Sequence, residues 1–380
     1  MPTKNIERIV LPPSAMGDRK ELCVITYGAD NSGQKAYLQA GLHADESPGV
    51  MAMHCLMALL DEADRQGLIQ SQIVLVPVAN PIGGAQWDHD RLVGRYDRAT
   101  GVNFNRGHLE LIDPVAEKIA GRLADDANHN KRVIRAALAE AIAAVSAKDQ
   151  AGHLKKLLLS LAYDADIALD LHCDEQALLH VYLGTPLWPA AADLSAQLGA
   201  AVTLLASDSG GSPYDEALSK IWWQLPQRFP EYPIEPACLA ATVELRGIGD
   251  VSYDYGRNDA QNIFRFLQRR GYIAGTAPPL PPLPKEATPL RGVEHVTAPS
   301  PGVVAFLKKP GEVLRAGDIV AHIINPVARS RDERVVDVKT GSGGLLFAHI
   351  ADRWARPGRI LAKIAGDTPI DGKGPHLLTD

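Results

Sequence analysis

Residues 36–81 constrain the fold more than any other part of this chain. They read AYLQAGL, HADESPG, VMAMHCLMALLDEADRQG and, from residue 72, QIVLVPVANP. The first run has the apolar character of a short strand. The third is apolar at helical spacing, begins behind a Ser-Pro pair and stops at Gly67. Residues 73–78 are almost continuously apolar, the pattern of a strand buried on both faces of a parallel sheet. Strand, helix and buried strand in this order call for a right-handed β-α-β crossover, and so for an α/β sheet.

Further strands are predicted at residues 6–11, 21–27, 165–172, 178–183, 202–206 and 240–245, with a closing helix at 262–270. Together they predict a mixed, largely parallel sheet with helices on both faces. Residues 82–107 are polar and Gly-rich, a loop long enough to carry function. Two or three helices are expected in 110–162, an insertion that carries no evident chemistry. Residues 276–290 include TAPPLPPLPKEATP, a stiff linker composition. Beyond it, Gly302, Phe306, Arg315, Gly317, Ile319, Ala321 and Ile323 recur 41 residues later as Gly343, Phe347, Arg356, Gly358, Ile360, Ala362 and Ile364. The expected organisation is a main domain over 1–275, a linker over 276–290, a small β barrel over 291–366 and a tail over 367–380.

The net charge of −6 disfavours nucleic acid and anionic membrane as partners, because both reward clustered Lys and Arg. Four cysteines without C-x-x-C spacing argue against a disulfide framework. With no signal-like start and no apolar run of about 18 residues, a cytoplasmic protein is expected. An assembly of identical subunits is also expected.

His43 and Glu46 form an H-x-x-E pair where a strand meets a helix start. Zinc catalysis commonly uses two His and one Glu with a fourth position open. His172 supplies a second imidazole, at the tip of the only other predicted strand that ends in His. Glu244 lies between Val243 and Leu245, and a carboxylate in an apolar strand needs a partner or a task. It is either an ion-pair partner, of Arg246 for instance, or a general base. Asn105 and Arg106 are either a carboxylate clamp or solvated loop residues. Arg95 could polarise a carbonyl, with Arg91 and Arg98 as competitors. Asn80 also falls at a strand end. Asp170 shares a strand face with His172 and is a candidate to orient it. Tyr253 and Tyr255, in a predicted loop over 249–257, are candidate substrate contacts.

The motifs AGLHADE, NFNRG, LDLH and TVELRG, in that order, resemble the zinc carboxypeptidase superfamily and specifically its succinylglutamate desuccinylase/aspartoacylase branch. The resemblance implies a carboxypeptidase-like fold and one zinc ion per subunit, held by His43, Glu46 and His172. It implies Glu244 as general base, Asn105 and Arg106 on a substrate carboxylate, and Arg95 at the carbonyl. The branch reads D-x-N-R where this chain has Asn103, so the support of Arg106 departs from the pattern. The repeat module resembles biotinyl and lipoyl carrier domains, but residues 324–338 contain no Lys to modify. No prosthetic group is therefore expected, and the module should serve as a lid, an oligomer contact or a wall of the site. The expected activity is zinc-dependent hydrolysis of the amide bond of a small N-acyl amino acid. The alternatives are a metallocarboxypeptidase acting on peptide C-termini and a zinc-containing binding protein without turnover.

Overall fold

The computed structural model describes residues 3–29, 33–330 and 333–378. Thr379 and Asp380 of the expected tail, and Arg331 and Asp332 within the Lys-free run, lie outside the described residues. Nine strands among those described form the main sheet: β1 Asn5–Val10, β2 Glu21–Tyr27, β3 Lys35–Ala40, β4 Gln72–Val76, β5 Ile167–Asp174, β6 His180–Gly184, β7 Val202–Ala206, β8 Leu239–Gly247 and β9 Thr288–Pro289. Their order is β1-β2-β4-β3-β5-β8-β6-β7-β9. Five neighbouring pairs, including β3–β4, β3–β5 and β5–β8, are parallel. The pairs β1–β2, β2–β4 and β6–β8 are antiparallel. The sheet is thus mixed and largely parallel, as the crossover pattern predicts.

Eight α-helices among the described residues cover it: α1 Ser47–Arg65, α2 Ile112–Ile119, α3 Ala127–Ala144, α4 Gln150–Ala162, α5 Ala192–Leu198, α6 Tyr214–Ser219, α7 Ile221–Arg228 and α8 Tyr253–Arg269. Side chains alternate across a strand, so each strand feeds two cores. Ile167, Leu169 and Leu171 of β5, with Ala241, Val243 and Leu245 of β8, pack in the core shared with α1, α5 and α8. Ala168 and Ala240 face the other way, into the core of α2, α3, α4, α6 and α7. Asp170, His172, Thr242 and Glu244 continue that second face by the same period of two. The α2–α4 insertion, silent in sequence, therefore covers the face on which the candidate site lies.

The closing helix starts at Tyr253, nine residues before the expected Asn262. Ser252 caps it, its hydroxyl accepting from Tyr255 N at 3.1 Å. Gly256 weakens the helical pattern in sequence, yet a Cβ there would stand 2.9 Å from Met51 Cγ and 3.2 Å from Cys55 Sγ of α1. The residue that hides the helix is the one that lets α1 and α8 cross closely.

The repeat predicts a small barrel. The structure resolves it into two antiparallel sheets, Val293–Thr297, Ile360–Ala365, Gly344–His349 and Val313–Leu314 against Val335–Lys339, Ile319–Ile324, Gly302–Phe306 and Trp354–Ala355, around one apolar core. The Pro-rich segment ends not as free linker but as β9, on the edge of the main sheet. The chain beyond β5 binds the module: Gln176–Ala177 pairs with Gly344–His349, Ala351 N donates to Glu175 Oε2 at 2.8 Å, and Arg353 reaches Gln176 at 2.7 Å. Among the described residues no helix is long and apolar enough to cross a membrane.

Candidate metal centre and active-site cleft

The close seat of α1 on β5 creates the donor cluster. A Cβ on Gly49 would lie 2.7 Å from Leu171 O, so only glycine lets the first turn of α1 rest there. Glu46, in extended backbone just before α1, then meets the end of β5. Its Oε2 is 2.9 Å from His172 Nδ1 and accepts from Cys173 N at 3.0 Å. Its Oε1 is 2.9 Å from His43 Nδ1. Asn80 holds the turn that carries His43, donating to Leu42 O at 2.8 Å and accepting from Gly83 N at 2.7 Å. That strand-end Asn is a brace.

Ligand-type atoms of His43, Glu46 and His172 all lie within 4.8 Å of one another, and all three residues are buried. Each imidazole turns its far nitrogen to an oxygen. His43 Nε2 donates to Asn103 Oδ1 at 2.8 Å, and His172 Nε2 stands at ion-pair distance, 2.9 Å, from Asp170 Oδ2, outside hydrogen-bond geometry. An oxygen behind each ring is the usual way a protein fixes the tautomer and orientation of a metal-binding imidazole. Two imidazoles and one carboxylate so arranged fit zinc.

Burial pushes His43 down to about 4, leaving it neutral. Burial also opposes charge on His172, but Asp170 and Glu46 outweigh it and raise that imidazole well above its ordinary value. Glu46 would likewise be raised by burial, yet His43 and His172 hold it well below the usual carboxylate range.

Of the three candidate arginines, Arg95 reaches this cluster. Its Nη1 donates to Glu46 Oε1 at 3.0 Å and to His43 Nδ1 at 3.2 Å. Arg98 instead holds Trp87 O at 3.0 Å, and Arg91 lines a neighbouring recess beside Asp45 and Asp352. Glu244 lies beside His172 in the β5–β8 register, and its Oε2 is buried without a partner. Arg246 does not pair with it, binding Asp259 at 2.5 and 3.0 Å instead. Burial, then the charge of Glu46, pushes Glu244 up to about 8.

Asn105 Oδ1 accepts from Tyr214 N at 2.8 Å, tying the NFNRG loop to the start of α6. Gly107 N and His108 N donate to Gly211 O and Ser212 O at 2.8 and 3.0 Å. Gly211, at φ +76°, leaves room for Arg106, whose Cδ would meet a Cβ there at 2.8 Å. His43, His172, Glu244, Arg95, Asn105 and Arg106 line one cleft.

Three participants escape the sequence reading. Asn103, expected to bear on Arg106, instead orients His43. Lys155 of α4 donates to Arg106 O at 2.5 Å and Asn103 O at 3.4 Å, so the insertion anchors the loop from beneath. Its position in phase with Ala151, Leu158 and Ala162 on the buried stripe of α4 is the signal that could have found it. Lys363, from the C-terminal module, lines the cleft and pairs with Asp174 at 2.5 Å. A Lys inside the apolar strand ILAKIA carries the same signal as Glu244. Leu378 of the tail also lines the cleft. Tyr253 and Tyr255 do not. They are exposed on α8, under the guanidinium groups of Arg257 and Arg246 at 5.1 and 4.5 Å.

Comparison with known proteins agrees with this arrangement. The family model described as the succinylglutamate desuccinylase/aspartoacylase catalytic domain matches residues 32–270, more than half of the chain. A Shewanella amazonensis protein of the succinylglutamate desuccinylase/aspartoacylase family is 27% identical, with a TM-score of 0.83 over 95% of this chain and 98% of that one. A Shewanella frigidimarina succinylglutamate desuccinylase/aspartoacylase is 25% identical, with a TM-score of 0.84 over 98% and 100%. One from Rhodobacter sphaeroides, at 18% identity and a TM-score of 0.64 over 96% and 95%, shares the fold. No curated protein sequence matches. With the fold, the donor cluster and the family match in agreement, the chain belongs to the succinylglutamate desuccinylase/aspartoacylase family.

Proposed function

We propose that this protein is a zinc-dependent amidohydrolase that removes the acyl group from a small N-acyl amino acid, releasing a carboxylic acid and an amine. The observation that carries the reading is the cluster of His43, Glu46 and His172 at a cleft that His43 and His172 line together with Glu244, whose Oε2 is buried without a hydrogen-bond partner. A zinc ion held by the three ligands supplies Lewis acidity toward the scissile carbonyl and toward water. Glu244 takes a proton from the attacking water and returns it to the departing nitrogen as the C–N bond breaks. Its tendency to hold a proton near neutral pH suits that exchange. Arg95 donates to the carbonyl oxygen as negative charge gathers there. Arg106 holds the substrate carboxylate with its planar fork, and Asn105 and Lys155 keep the loop beneath it in place.

Lys363 and Leu378, from the C-terminal module and the tail, wall the cleft, which supports a small substrate over a long peptide. Glu244→Gln is expected to keep zinc by elemental analysis while kcat falls by about 10² to 10⁴. The assay panel is N-acetyl, N-succinyl and N-formyl amino acids beside dipeptides and longer peptides. A near wild-type rate in the variant would remove Glu244 as the base, and faster cleavage of long peptides would favour a carboxypeptidase.

A further inference from the structure

Another wall of the cleft carries polar groups that the hydrolytic reading leaves unused. Ser209, Asp215 and Glu216 all line the cleft, and all three are more than nine-tenths buried, at 2%, 6% and 5% exposure. Glu216 Oε1 accepts from Ser209 N at 2.8 Å, but Glu216 Oε2 and Ser209 Oγ have no partner. Among the described residues no cation lies within ion-pair distance of either carboxylate. Lys220, the residue after α6, directs its Nζ to Asp208 and Glu110 at 3.2 and 3.5 Å.

Adjacent buried carboxylates without a cation are costly, and protein interiors normally pair them or neutralise them. Burial, then Glu216 and Asp170, pushes Asp215 up to about 7, as expected when no cation is close. An alkylammonium group offers three N–H donors and a positive charge. The unmatched groups here can accept: Glu216 Oε2 and Ser209 Oγ, with the Asp215 carboxylate, which no cation pairs, beside them. An anion is repelled by the same wall, and a neutral alkyl chain leaves the carboxylates unpaired.

We propose that Ser209, Asp215 and Glu216 form a subsite for a cationic amine on the substrate, so that the preferred substrates are N-acyl derivatives of amino acids bearing a second amino group. This rests on the deacylase reading for the reaction, although the subsite itself binds without turnover.

The test uses the zinc-loaded full chain and matched pairs, Nα-acetyl-ornithine against Nα-acetyl-norvaline and Nα-acetyl-lysine against Nα-acetyl-norleucine. The charged member of each pair is expected to show at least about tenfold higher kcat/KM, the effect of one hydrogen bond to a charged group. Asp215→Asn and, separately, Glu216→Gln should bring that ratio toward one, with thermal melts confirming that each variant is folded. In parallel, calorimetry compares the binding of free ornithine and free norvaline to the wild type and to Asp215→Asn. A wild type that prefers ornithine, with the preference lost in the variant, supports the subsite even if no acyl substrate is cleaved, and only the deacylase reading then falls. Cleavage with equal kcat/KM for both members of a pair overturns the subsite while the deacylase reading stands. A preference that survives both substitutions overturns the assignment to these residues.

Discussion

Asn103 offers the sharpest test of how the donor cluster is held. Its Oδ1 accepts from His43 Nε2 at 2.8 Å and from Asn105 N at 2.9 Å, and all three residues are buried. Asn103→Ala would orphan both donors. Each buried donor left unpaired costs about 1–3 kcal/mol, so the loop and the imidazole together lose about 2–6 kcal/mol. The part that reaches the metal is the lost orientation of His43, for which a 10- to 100-fold weakening of zinc binding is expected, about 1.4–2.8 kcal/mol. Asn103→Asp is the control. It keeps the acceptor and removes Asn103 Nδ2, a buried donor with no partner. Zinc affinity at or above the wild-type level is therefore expected there. Competition with a chromophoric chelator at fixed pH measures both variants. Zinc binding by Asn103→Ala within twofold of the wild type would refute the claim that residue 103 positions His43.

Arg106→Ala is expected to raise KM for carboxylate-bearing substrates well above the rise for their amides, and equal effects on both would remove the clamp. Lys155→Met should destabilise the chain by about 1–3 kcal/mol in a denaturant titration, since the carbonyls of Asn103 and Arg106 lose a buried charged donor. A stability within 0.5 kcal/mol of the wild type, roughly the scatter of neutral surface changes, would show that α4 does not anchor the loop. His180, buried with Nδ1 on Leu178 O at 2.8 Å, is pushed down to about 4, chiefly by burial. An unfolded imidazole titrates near 6.5, so between about pH 6.5 and 4 the unfolded chain binds the extra proton. The stability present above 6.5 is lost as pH falls through that window, by up to about 3 kcal/mol. Denaturant midpoints at pH 7.5 and 4.5 should lie closer together in His180→Gln than in the wild type, and identical pH slopes in the two proteins would contradict the burial argument.

The main sheet was legible because its signals are local. A buried parallel strand needs an apolar run, a crossover helix needs apolar residues every third or fourth place, and both are visible from residue 36 to residue 81. Helix α8 was half legible, because Gly256 reads as a breaker in sequence and acts as a close-packing contact against α1. Lys155 and Lys363 were hidden for a related reason. A charged residue on an apolar stripe announces that it has a task, but not what it touches.

By itself the chain order determined the α/β crossover and the four strand-end groups His43, Asn80, His172 and Glu244. Alternation along β5 and β8 then put Asp170, His172 and Glu244 on one face, since a period of two is a property of any extended backbone. Which loop closes over that face was decided only by tertiary structure. The Arg95, Asn103 and Arg106 segment meets His43 across some 50 to 60 residues of chain, and α4 and the loop at Gly211 and Ser212 hold it there. Such contacts depend on how whole elements pack, and no residue spacing encodes them. The donor cluster was therefore readable in outline from Gly41 to Gly49, while the walls that select its substrate were not.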